Sequence, residues 1–155
     1  ARVIAVTSGG QYTTGLDVAD LDGDDVTYSG PRFYARAKRA QVALIREWAR
    51  RSGPDGPAYN AMHPGWAATP GLADSLPGFS RLLGPLLRTP EEGADTIVWL
   101  ATAPRAEIGS GWLYLDRARR PFDRVPWTRL PARDRRRLWN AIVDRAGVAD
   151  PAPEG

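Results

Sequence analysis

The sequence predicts an α/β protein built as half of a doubly wound parallel sheet, three strands with flanking helices. Three observations carry this. Val3-Ile4-Ala5-Val6 is an unbroken apolar run without alternation, the pattern of a strand covered on both faces. Two further strand-like stretches follow, at residues 58–62 and 112–115. Between the strands lie amphipathic segments with helix start and stop signals, giving the order strand, helix, strand, helix, strand. At 155 residues the chain is one domain's worth and can bury a core.

The first strand runs into Thr7-Ser8-Gly9-Gly10, at the carboxyl edge where open α/β sheets bind ligands. Taken alone, Ser8 reads more readily as a turn residue before two glycines. Residues 11–30 form an excursion in which Asp17, Asp20, Asp22, Asp24 and Asp25 have few apolar partners, so a solvated acidic loop is expected. A calcium loop is not: Asp25 stands where its glycine is required, and Pro31 where its glutamate is required. Pro31 opens a helix that runs to about residue 51, and Ser52-Gly53-Pro54 stops it. Val42, Ile45, Trp48 and Ala49 form its apolar stripe, with Arg36, Arg39, Arg46 and Arg50 expected largely off it. The second strand ends in His63-Pro64-Gly65. His63 lacks an obvious acid partner, so a structural or supporting role is favoured over a catalytic one.

Residues 71–88 are rich in Gly, Pro and Leu and read as a short amphipathic helix between turns, either core or a lid over an apolar ligand. Thr89-Pro90-Glu91-Glu92 opens the next helix, for which Ala94, Ile97, Val98 and Ala101 are the expected buried face. Nine of the 20 arginines fall at residues 117–137, interleaved with Trp127 and followed by Trp139. A nucleic-acid surface is one reading of that run. The other is favoured: Leu138, Trp139, Ile142 and Val143 are the buried stripe of a last helix whose arginines are its wet face. The tail after Gly147 is expected to fray.

The totals exclude several classes. There is no cysteine, and His63 is the only histidine, so neither a disulfide framework nor a Cys/His zinc site can form. No apolar run approaches the length of a membrane span. The net charge of +3 is weak evidence for nucleic acid, and the lack of cysteine fits a cytoplasmic location. The first residue is Ala1, not Met, so a missing native N-terminus is expected, and with it any targeting signal.

The most informative stretch is Tyr34-Ala35-Arg36-Ala37-Lys38, at the start of the first helix. Residues four apart share a helix face. A cation one turn from a phenol favours the phenolate, which suits the phenol to proton exchange with an alcohol or carbonyl. Lys38 is the only lysine in the chain, which weakens the reading of the spacing as chance.

Three motifs in order then resemble the short-chain dehydrogenase/reductases: Thr7-Ser8 at a strand end, the Tyr34/Lys38 pair on the next helix, and Pro64-Gly65 with Thr69. Met62-His63-Pro64-Gly65-Trp66 and Gly93-Ala94-Asp95-Thr96 are similar to the member-12-like subgroup. The resemblance covers the chain to about residue 115. It implies the carboxyl-terminal half of a Rossmann-like sheet, residues 1–115, with residues 116–155 as an Arg-rich tail carrying a terminal helix.

It further implies an oxidoreductase interconverting alcohols and carbonyls with NAD or NADP, with no nucleic-acid partner. In that scheme Ser8 bonds the substrate oxygen, Tyr34 is the acid/base, and Lys38 assists Tyr34 and binds the nicotinamide ribose. Thr69 and the backbone at Pro64 and Gly65 hold the carboxamide. Two departures stand out. The Ser8–Tyr34 gap is long, as in retinol-dehydrogenase-like members, and Ala68 replaces an Asp common in the subgroup. No glycine motif for a pyrophosphate follows any strand, so the chain is expected to begin at the family's fifth strand and to be inactive alone. The unpaired edge of its first strand is compatible with a homo-oligomer. A non-catalytic fragment, an Arg-rich nucleic-acid module and a Ser8/His63 hydrolase are the rival readings; the last lacks a nucleophile elbow.

Overall fold

A computed structural model describes residues 1–67 and 87–150. The strands are β1 (Arg2–Val6), β2 (Ala58–Met62), β3 (Leu113–Leu115) and β4 (Ala118–Arg120), and they form one sheet in the order β1-β2-β3-β4. β1 and β2 pair in parallel from Arg2↔Ala58 to Val6↔Met62, and β3 continues in parallel through Ala61↔Leu113. The expected strands are therefore all present in the expected parallel order.

β4 is an addition. It pairs antiparallel with β3, Leu113 opposite Arg120, inside the segment read from sequence as an Arg-rich tail. Its connection is a two-residue turn, Asp116-Arg117, with both residues at φ 55°. Such a turn matches the twist of a hairpin but is normally built with Asn and Gly. Here ion pairs flank it instead: Arg88 grips Asp116 and Asp95 grips Arg117.

The four helices among the described residues are α1 (Gly30–Ser52), α2 (Pro90–Thr102), α3 (Arg105–Ile108) and α4 (Ala132–Ala146). α2 starts as its sequence dictates: Pro90 is in the first turn, Glu92 N donates to Thr89 Oγ1 at 3.2 Å, and Thr89 N donates to Glu92 Oε2 at 2.8 Å. A cap of this kind contributes about 1 kcal/mol. Its buried face is not the expected one. Gly93, Thr96 and Leu100 are buried with Ala103, whereas Ala94, Val98 and Ala101 face outward and only Ile97 is partly covered. Gly93 is the reason: a Cβ there would lie 3.1 Å from the Ala67 Cβ, so the helix turns its barest side to the chain after β2.

Leu100, Ala103 and Ile108 pack with Ala58, Met62 and Tyr114 as one core cluster. Val42 and Ile45 of α1 pack with Ala61 and Leu113 as another, so β2 and β3 are covered on both sides, whereas β1, expected to be covered on both faces, leaves Val3 and Val6 exposed. Trp48 joins α1 to both neighbours, stacked on Tyr59 at 5.3 Å and edge-on to Trp139 of α4 at 4.6 Å.

Three expectations for the chain outside the sheet change. The acidic excursion is anchored, because Leu16, Val18 and Leu21 pack against Ala43, Leu130 and Leu138. The stretch beyond Gly147 is held as far as Asp150, which accepts from Trp139 Nε1 at 3.1 Å and pairs with Arg51 at 3.2 Å. On α1, Arg36 and Arg39 are buried rather than off the apolar face. Arg39 donates to Gln11 Oε1 at 2.6 Å and to the Phe122 carbonyl at 2.7 Å, and also bonds Asp123 and the Thr128 carbonyl. In α4, Leu138 and Trp139 are buried as expected, but Ile142 is largely exposed.

Candidate active site

β1 ends at Val6, and the chain turns at once into a short 3-10 helix, Gly9–Tyr12. Ser8 caps that turn, its Oγ accepting from Gly10 N at 3.2 Å while its proton stays free to donate outward. The turn lies against the beginning of α1, since a Cβ on Gly10 would stand 3.9 Å from the Ala35 Cβ.

Tyr34 precedes Ala35, is about half exposed, and has Lys38 Nζ 5.6 Å from its ring centroid. Lys38 is fixed at both ends of its residue: Nζ donates to the Val6 carbonyl at 3.0 Å, and its own carbonyl accepts from Thr7 Oγ1 at 3.0 Å. One bond to Val6 uses one of three ammonium donors, leaving two for a ligand. Lys38 thus links the Tyr34 ring to the last residue of β1, two residues before Ser8. An open cavity of about 470 Å³ is lined by Thr13, Thr14 and Gly15 after the 3-10 turn and by Ser29, Arg32 and Ala35 at the start of α1, among others.

The carboxyl end of β2 stands next to that of β1, joined by Thr7 N donating to the Met62 carbonyl at 2.7 Å. His63, Pro64 and Gly65 follow. Gly65 has φ +76°, a left-handed backbone conformation that favours glycine, and the Arg88 side chain lies close against it.

His63 is buried at 6% exposure beneath Tyr12, ring centroids 6.1 Å apart. Burial lowers its proton affinity, and the charges of Arg124, Arg120 and Arg88 lower it further against a smaller opposing effect of Asp116. Both of its ring nitrogens are buried without a hydrogen-bond partner. Arg88 holds Asp116 through two bonds, and this pairing keeps the Asp116 carboxyl below the usual carboxylate range.

No family model matches the chain. Individual relatives do. It is 43% identical over 123 residues to the bovine (Bos taurus) dehydrogenase/reductase SDR family member 12, covering 77% of this chain and 38% of that protein. The short-chain dehydrogenase/reductase family is the one to which the chain belongs. A putative daunorubicin C-13 ketoreductase of Streptomyces sp. (strain C5) is 35% identical, covering 96% of this chain and 50% of that protein. Human (Homo sapiens) retinol dehydrogenase 12 is 31% identical, covering 96% of this chain and 46% of that protein. The chain thus spans half or less of the length of each of these relatives.

Of the positions carried over from the short-chain dehydrogenase/reductase resemblance, the described residues place Ser8, Tyr34, Lys38, Pro64 and Gly65 along the carboxyl ends of two adjacent strands. Thr69 lies outside the described residues, as does most of the 71–88 segment read as core or lid. The sequence reading did not single out Tyr12, Arg88, Asp116, Arg120 and Arg124, which surround His63. They come from four separate segments, and no periodicity or spacing links them.

Proposed function

We propose that the chain carries the proton-transfer and nicotinamide-contacting part of an oxidoreductase that interconverts alcohols and carbonyls with NAD or NADP. The observation that carries this reading is Lys38, whose Nζ lies beside the Tyr34 ring while bonding the last carbonyl of β1, next to Ser8.

The donor set fits the nicotinamide end of such a cofactor: an ammonium with two spare donors and a positive-φ glycine at the neighbouring strand end. Lys38, Tyr34, Pro64, Gly65 and Thr69 would hold it there. It fits the pyrophosphate poorly, since Ser8-Gly9-Gly10 leads only into a four-residue 3-10 turn. When bound, a nicotinamide supplies or accepts the hydride. The chain's own residues do the rest. Ser8 donates to the substrate oxygen and fixes its place. Tyr34 gives its phenolic proton to that oxygen in the reductive direction and takes it back in the oxidative one. Lys38 brings positive charge beside the phenol and orients the ribose hydroxyls.

The test is turnover in a chain that joins this segment to a Gly-rich strand–turn–helix able to hold a dinucleotide. Tyr34→Phe keeps the ring but removes the proton, and turnover is expected to fall on the order of 10²-fold or more with cofactor affinity little changed. Lys38→Met is expected to lower both. Near-normal turnover in Tyr34→Phe would make the pair structural only.

A further inference from the structure

We propose that the carboxyl edge of the sheet, over the ends of β2 and β3, is a binding site for a small oxyanion, a carboxylate or phosphate group, held by His63, Arg120 and Arg124. The first observation is an unmet need for hydrogen bonds. Buried polar groups in folded proteins are nearly always partnered, and each exception calls for an explanation. Among the exceptions here are both His63 ring nitrogens, on a side chain 6% exposed, and the buried Nε of Arg120, whose charge acts on His63.

The second observation is a local charge imbalance. Arg88, Arg120 and Arg124 all act on His63, with Asp116 the only opposing carboxylate. Asp116 is already engaged by Arg88 through two bonds. Neither Arg120 nor Arg124 has a carboxylate partner among the described residues, and the Arg124 guanidinium rests over the Tyr12 ring at 4.7 Å. An oxyanion meets the donor side of the first need, since neutral imidazole carries a single N–H, and the whole of the second. It accepts from the imidazole N–H and from Arg120 Nε, and it supplies the missing negative charge.

The surroundings are built rather than incidental. Tyr12 faces His63 on one side, and its hydroxyl donates to the Pro121 carbonyl at 2.6 Å, which fixes the chain between Arg120 and Arg124. Arg88 and Asp116, paired at the β3–β4 turn, are near enough for their charges to act on His63. Because Thr7 N bonds the Met62 carbonyl, His63 and Ser8 stand at neighbouring strand ends.

The chain has only this one histidine, so its imidazole proton resonances need no assignment. The experiment is proton NMR of the full chain titrated with sodium malonate or with inorganic phosphate, against sodium chloride at equal ionic strength. Saturable movement of the His63 resonances is expected, with an upward move of the pH at which they titrate. Strength with malonate points to a substrate carboxylate; strength with phosphate points to a nucleotide phosphate. Arg120→Gln is expected to weaken the anion about 10-fold or more through loss of a charge-assisted hydrogen bond. Arg124→Gln gives an independent decision should Arg120→Gln fail to fold. Movement that is unsaturated and reproduced by chloride, or that neither variant weakens, overturns the site.

Discussion

At the scale of single residues, His63 is a buried imidazole whose surroundings oppose its protonation. Burial and three nearby arginines hold its titration below the ordinary histidine value of about 6.5. The unfolded chain therefore binds this proton at higher pH than the folded chain does, and stability rises with pH across the interval between the two values. The contribution is complete above about pH 6.5 and is lost as pH falls toward the folded value. The urea midpoint is expected to drop between about pH 7 and pH 5, and His63→Gln is expected to flatten that drop. An unchanged slope in His63→Gln would place the effect on other groups. Sequence reasoning placed His63 in a supporting role but could not see its neighbours, because Arg88, Arg120 and Arg124 arrive through tertiary contacts alone. Tyr34 and Lys38 were legible for the opposite reason: one helical turn fixes their relation, whatever the rest of the chain does.

At the scale of elements, one side chain holds the segment after β4 to α1. Arg39 bonds the carbonyls of Phe122 and Thr128, the Asp123 carboxylate and Gln11 of the 3-10 turn, and it is 1% exposed. Its removal leaves those acceptors without their shared donor. Arg39→Met keeps the apolar stem yet is expected to cost about 3 kcal/mol or more in denaturant unfolding. A loss under about 1 kcal/mol would mean that water replaces the guanidinium freely. The strands and the starts of α1 and α2 were readable because apolar runs, Pro31 and the Thr89–Glu92 box are local signals. The orientation of the helices was less so. Arg39 stands off the apolar stripe in a helical projection, but the Phe122–Thr128 segment folds over that side and buries it. On α2, the apolar count pointed to Ala94, Val98 and Ala101, while close packing of Gly93 on Ala67 decided the matter. β4 was missed because Arg-rich residues 118–120 have no strand pattern of their own and are ordered by pairing with β3.

At the scale of the whole molecule, β1 lies at one edge of the sheet with Val3 and Val6 42% and 41% exposed, an apolar flank to a strand with one open side. The chain spans 38% to 50% of three curated relatives it matches, and its sequence has no Gly-x-Gly-x-x-Gly turn in which backbone N–H groups could hold a pyrophosphate. Its proposed role is confined to the groups around the nicotinamide and the proton, which position a dinucleotide already held elsewhere. Calorimetric titration of the chain with NADH and NADPH tests that assignment most directly. No saturable heat is expected at ligand concentrations up to about 1 mM, as befits contacts worth less than about 4 kcal/mol. Saturable micromolar binding of either dinucleotide would contradict it, because the chain would then hold a complete cofactor site of its own.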